Sequence, residues 1–197
     1  MIKLVLLRHG QTTYNKESRF TGWTDVPLTN RGIMEAKKAG KILKEKGFTF
    51  DVVFTSILKR AIDTTNILLS EMGLNHIPIH QSWRLNERHY GALQGLNKAE
   101  MAAKYGEDRV LKWRISYEIR PPALNKKDKR WSGNESKYKD MDKKDIPLTE
   151  SLKDTVKRVV PYWNKEIKSA LKKEKKVLVS ASGNSLRALV KYLDNMS

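Results

Sequence analysis

Three short runs bring together residue types that could do chemistry. Arg8-His9-Gly10 closes a nearly continuous apolar run at 2–7. A neutral histidine is a nucleophile near pH 7, able to accept a phosphoryl group and pass it on. Gly10 permits close backbone approach there. The second run, Ser56 to Arg60, and the third, Ser182-Gly183-Asn184 with Arg187, each stand between an apolar run and a helical pattern. A strand that turns through glycine into a helix aims backbone N–H groups and the positive helix end at one point, so 182–184 is expected to form an anion site. Arg60 and Arg187 fall near the amino ends of their helices, where a cation opposes the helix dipole by about 0.3–1 kcal/mol. Together with Arg8, these arginines make sense if an anion sits among them. Glu87 lies in Asn86-Glu87-Arg88-His89-Tyr90. A carboxylate in a cationic cleft repels an anionic substrate unless it moves a proton to or from a hydroxyl. On spacing alone, an ion pair with a neighbouring arginine explains it equally well. Ser182 is a poor candidate for a hydrolase nucleophile, because the Gly-x-Ser-x-Gly turn is absent and no histidine follows it.

The elements that must hold these residues alternate between strand and helix. Residues 2–7 read as a buried strand, and a helix starts near Thr29 or Asn30 with Gly47 beyond its end. Residues 51–55 form a second strand, and Ser56 is expected to cap the helix that Gly73 ends. A short strand fits Ile77–His80. After the polar stretch 83–95, Asn97 and Glu100 mark a short helix ending at Gly106, and 107–115 continue as helix. Residues 116–148, with Pro121, Pro122 and many charges, read as a long, partly mobile loop. A long amphipathic helix from Thr149 is expected to kink at Pro161, and strand 177–179 with its helix follows. This order predicts an α/β fold: a mainly parallel sheet with helices on both faces, binding ligands at the carboxyl ends of its strands. One domain, 1–197, is expected, since no repeat or linker divides the chain.

Composition narrows the function. Having no cysteine rules out disulfides, zinc–thiolate sites and thiol catalysis, and fits a reducing cytoplasm. No apolar run reaches membrane-spanning length, and the remaining histidines, His76, His80 and His89, lack metal-ligand spacing. The net charge is +17. The lysines are mixed with acids on helix faces, which favours a solvated surface plus a smaller functional cluster over a nucleic-acid binder.

Longer runs carry a resemblance. Arg8-His9-Gly10, FTGWTDVPL at 20–28, TSILKRA at 55–61, RLNERHYGALQGLNKAE at 84–100 and GNSLRALVKYLDN at 183–195 resemble the cofactor-dependent phosphoglycerate mutases of the histidine phosphatase superfamily. The resemblance runs from Leu4 to Asn195 and implies a phosphoglycerate-mutase-like fold. It implies that His9 is the phosphohistidine, primed by 2,3-bisphosphoglycerate, and that Glu87 is the proton donor and acceptor. Arg8 and Arg60 join them in catalysis. Phosphate and carboxylate contacts are implied for Arg8, Asn15, Thr21, Gly22, Arg60, Glu87, Arg88, His89, Tyr90, Lys98, Arg114, Gly183 and Asn184. No metal is required. The expected partners are small phosphoglycerates rather than nucleic acid or membrane, with a homodimer in keeping with the family's habit of oligomerising.

The sequence also departs from that pattern. Ser182 stands where the family has a second catalytic histidine, and losing one preorganised donor costs about 10²–10³ in rate. Ile115 replaces the second of two adjacent arginines, while Gln11 and Tyr14 replace Glu and Trp. Family members continue into a further helix, strand and basic tail, so an uncovered sheet edge and apolar surface are expected. The implied reading is a phosphoglycerate mutase with impaired activity. The alternatives are a non-catalytic phosphoglycerate or polyanion binder, or a weak phosphatase.

Overall fold

The computed structural model describes residues 4–173 and 175–196. Its centre is a parallel sheet of β1 (Leu4–Arg8), β2 (Val52–Thr55), β3 (Ile79–Gln81) and β4 (Val177–Ala181), in the order β1-β4-β2-β3. The two inner strands, β2 and β4, are buried along their whole length. That burial is why they read as unbroken apolar runs rather than alternating ones. Their side chains still divide by parity. Val52, Phe54, Val177 and Val179 enter one core, while Val53 and Leu178 enter the core on the opposite face. The first core is covered by α6 (Leu152–Tyr162) and α8 (Gly183–Leu193), the second by α2 (Asn30–Glu45) and α3 (Lys59–Met72), with the short α1 (Thr13–Lys16) preceding α2. The parallel α/β sheet with two covered faces is therefore present.

Several expected boundaries shift for local reasons. β3 starts at Ile79 rather than Ile77 and runs to Gln81. Ser56 does not cap α3; its hydroxyl accepts from Leu58 N, and the helix begins at Lys59, whose N–H goes to Asp25 Oδ1 at 2.7 Å. The long helix from Thr149 becomes three pieces. Ser151 caps α6 in a reciprocal box with Asp154, a π turn follows at Trp163–Ile167, and α7 spans Lys168–Lys172. Pro161, inside α6, removes one ladder donor, and the helix resolves the defect as a π turn two residues later.

Residues 116–148 hold two short 3₁₀ turns and no α-helix, but they are not a loose excursion. Leu124, Trp131, Tyr138 and Ile146 are buried around Trp23, whose ring lies 5.1 Å from that of Tyr138. Arg130 donates to the carbonyls of Ala92 and Gln94, and Lys137 pairs with Asp25. The short helices α4 (Lys98–Tyr105) and α5 (Glu107–Ile115) close over Phe20 and Leu93. Near the chain end, the outer edge of β1 has no strand partner among the described residues. An apolar groove of about 350 Å³ lined by Leu152, Leu186, Val190 and Met196 opens beside α8.

Candidate active site

The carboxyl ends of β1, β2 and β4 converge on a cavity of about 220 Å³. His9 extends the pairing of β1 with β4 through its N–H to Ala181 O at 3.1 Å. Its ring is almost fully buried, and Nδ1 lies 2.8 Å from Gly10 O. A carbonyl can only accept, so Nδ1 carries the proton and Nε2 keeps its lone pair. Arg60 Nε donates to that Nε2 at 3.3 Å. Burial, then the Arg60 charge, holds the His9 pKa down at about 3, so the imidazole is neutral at pH 7. Gly10 is required by contact. A Cβ there would lie 2.3 Å from Gly32 O, so the turn after β1 sits directly on the first turn of α2. Gly10 N donates to Thr64 Oγ1, which ties the same turn to α3.

Arg60, near the amino end of α3, is fully buried. Its guanidinium donates to Gly22 O at 2.7 Å and Thr24 O at 3.0 Å. Burial lowers its pKa, and the charges of Glu87 and Asp25 oppose that lowering. Gly22 adopts a positive φ of 56°, which turns its carbonyl toward Arg60. The dipole cost of placing a cation at this helix end is thus met by two carbonyls and two nearby carboxylates.

Glu87 changes the reading of the glycine turn at 182–184. Its carboxylate accepts from Asn184 N at 3.2 Å and Arg88 N at 2.7 Å. The amino end of α8 therefore meets a carboxylate of the protein itself, and the anion site expected there is filled from within. The arginines keep the cationic role: Arg8, Arg60 and Arg187 all line the cavity, joined by Arg19 and Lys98. Burial, followed by the charges of Arg114 and Arg8, lowers the pKa of Lys98. Five cations and one carboxylate make the cavity strongly cationic, a charge that suits a small polyanion.

Most of the residues singled out from the sequence meet here. Asn15, Thr21, Gly22, Tyr90, Gly183 and Asn184 line the cavity with His9, Arg8, Arg60, Glu87 and Lys98. Four do not reach it. Ser182 is wholly buried at the N-cap of α8, caps nothing with its side chain, and its Oγ has no partner. Arg88 is buried behind Tyr90, donating to Arg114 O at 2.6 Å and Tyr90 Oη at 3.1 Å. His89 is buried against Trp23, accepts from Gly91 N, and is held neutral by burial and Arg158 with a pKa of about 3. Arg114 is exposed on α5 and lines a neighbouring groove with Lys98. The irregular backbone of 87–90 follows no period: Glu87 and Tyr90 face the cavity while Arg88 and His89 are buried behind it. The sequence reading also missed Arg19, which is anchored by Gly95 O and Glu17 at the cavity wall. Its only signal was a cation directly before the run FTGW.

Among the described residues, no cluster of histidine and carboxylate side chains could hold a metal ion. No helix is long and apolar enough to cross a membrane. A model of the histidine phosphatase superfamily (branch 1) matches residues 4–197, and the chain belongs to that superfamily, whose members transfer phosphoryl groups. Solved structures agree on the fold. A mycobacterial glucosyl-3-phosphoglycerate phosphatase is 28% identical, with a TM-score of 0.73, over 98% of this chain and 80% of that one. Another structure, a protein called mycobacterial hydrolase 1, is 26% identical with a TM-score of 0.75, over 100% of this chain and 80% of its own. A phosphoglycerate mutase from Bacillus anthracis is similar in fold, at 22% identity and a TM-score of 0.68, over 98% of this chain and 79% of that one.

Proposed function

We propose that this chain carries phosphoryl groups on His9 Nε2 and interconverts 3-phosphoglycerate and 2-phosphoglycerate at a reduced rate. The observation that carries this reading is the state of His9: Nδ1–H is fixed on Gly10 O, and Nε2 is unprotonated among arginines. In the first step Nε2 attacks phosphorus, the N–P bond forms, and the ester P–O bond breaks. Glu87, having first taken up a proton from solvent, gives it to the departing oxygen. In the return step a substrate hydroxyl attacks the phosphohistidine, Glu87 takes its proton, and the N–P bond breaks. Arg8 and Arg60 stabilise the charge that builds on the transferring oxygens. Arg19, Lys98 and Arg187 would hold the other phosphate and the carboxylate, so the donor set fits 2,3-bisphosphoglycerate. When bound, that molecule supplies the phosphoryl group that primes His9.

The reduced rate follows from Ser182. The position that the resemblance assigns to a second histidine holds a buried hydroxyl directed at no partner. Ile115 likewise leaves an exposed apolar side chain where a second arginine is implied. A second reading, phosphatase activity, draws on the likeness to the glucosyl-3-phosphoglycerate phosphatase. In that reading water rather than a substrate hydroxyl takes the phosphoryl group from His9.

Intact mass after brief exposure to 2,3-bisphosphoglycerate tests the proposal. A phosphoryl adduct that disappears in His9→Ala is expected. Saturable calorimetric binding of 3-phosphoglycerate by a chain that never forms the adduct would overturn it in favour of a non-catalytic binder. Release of inorganic phosphate without 2-phosphoglycerate would favour the phosphatase.

A further inference from the structure

We propose that the buried ion pair Glu150–Arg158, which lies directly behind the cavity lining, is the positioning device for Glu87; the inference rests on the proton-transfer role given to Glu87 above. The pair is bidentate, with Arg158 Nε 2.6 Å from Glu150 Oε1 and Nη2 2.9 Å from Oε2. Both side chains are nearly inaccessible, at 7% and 5% exposure. Buried pairs of this kind are weak sources of stability, because desolvation offsets their attraction. What distinguishes this one is where its remaining hydrogen bonds go.

They go to a single short stretch of backbone, residues 84–89, most of it irregular. Arg158 Nη1 donates to Arg84 O at 2.7 Å, and Nη2 donates to Glu87 O at 2.9 Å. Glu150 Oε2 accepts from His89 N at 2.8 Å, and the Glu150 N–H goes to His89 O at 2.9 Å. Residues 86–90 belong to no helix or strand, so no ladder holds them. Arg158 is the charged residue on the buried face of α6, beside Leu152, Thr155 and Val159.

The peptide between Glu87 and Arg88 links the pair to the carboxylate. Its C=O and N–H point in opposite directions because the unit is planar and trans. The C=O side is held from behind by Arg158 and by Trp23 Nε1, the latter at 2.7 Å. The N–H side donates to the Glu87 carboxylate, which in turn accepts from Asn184 N. A turn of that peptide moves the carboxylate directly. Neither Glu150 nor Arg158 lines the cavity, so both act through Glu87.

The test compares His9 phosphorylation rates with two esters in the full chain. With 2,3-bisphosphoglycerate the departing alkoxide needs the proton from Glu87. With p-nitrophenyl phosphate the nitrophenolate leaves as a stable anion and needs none. Glu150→Gln should slow the first reaction by about 10–100-fold and the second by less than about 3-fold. Adding Glu150→Gln to Glu87→Gln should cause no further loss on the first ester, because the group it positions is already gone. Equal losses on both esters, or additive losses in the double variant, would overturn the proposal. Should Glu150→Gln not fold, Arg158→Lys keeps the charge, loses the fork that reaches Arg84 and Glu87, and is read in the same way. A wild-type chain phosphorylated by neither ester would refute the function proposed above and leave this inference to an activity-independent readout. That readout is the Asn184 amide resonance. Glu150→Gln should shift it as Glu87→Gln does, and an unmoved Asn184 resonance would overturn the positioning role.

Discussion

Acidification should unfold this protein through two buried histidines. In the fold, His9 and His89 both have pKa values near 3, lowered from 6.5, first by burial and then by Arg60 and Arg158 respectively. In the unfolded chain each titrates near 6.5. Between those values the unfolded state binds two protons that the folded state refuses, so stability falls as pH falls. Two such protons give a slope of about 2.7 kcal/mol per pH unit between roughly pH 6 and 4. Integrated from pH 7 to 5, the loss is about 4 kcal/mol, a large share of the 5–15 kcal/mol typical of a domain. Buried carboxylates add little in this window because their unfolded values lie near 4. Urea unfolding at pH 7, 6 and 5 measures the effect directly. His9→Ala should remove about half of the pH dependence, leaving a loss of roughly 2 kcal/mol across the same range. A loss below about 1 kcal/mol in the wild type, or an unchanged slope in His9→Ala, would refute the argument that these rings are held neutral by their surroundings.

Other perturbations have equally definite outcomes. Gly10→Ala forces a methyl group to within 2.3 Å of Gly32 O, and thermal unfolding should show a loss of at least about 2 kcal/mol. Ser182→Ala removes a buried hydroxyl with no partner, so its stability should match or slightly exceed wild type by the same measurement. Arg60→Ala leaves His9 Nε2 without its neighbouring donor, and its rate of phosphorylation by 2,3-bisphosphoglycerate should fall by about 10²–10³. Ser182→His should raise turnover of 3-phosphoglycerate; no gain would mean that Ser182 is not the main defect.

The sheet was legible because its signals are local. β2 and β4 carry apolar runs at Val52–Phe54 and Val177–Val179, and each strand is followed by a glycine or serine turn and an amphipathic helix. His9 and the arginines were legible because topology sends the ends of parallel strands to one place. Long-range pairing was not legible. Nothing local shows that Asp25 starts α3, that Trp23 anchors the stretch 116–148, or that Gly10 rests on Gly32. The direction of each side chain in 87–90 was also hidden, because an irregular segment has no period to read. Arg88 and His89 therefore looked like site residues when their side chains face Arg114 and Trp23 instead.

Glu87 shows how the cavity can be strongly cationic and still retain a carboxylate. Placed among Arg8, Arg60 and Lys98 alone, its charge would be neutralised by a lasting ion pair, and it would be lost as the proposed base. Instead its Oε1 accepts from two backbone amides, Asn184 N and Arg88 N. Amides carry no net charge, so they orient the carboxylate and leave the guanidinium groups without a fixed partner of opposite sign in the cavity. Those cations remain available for the oxygens of an incoming anion. The amino end of α8 thus serves the site by holding the residue proposed to move the proton, while the side chains of other elements supply the positive charge.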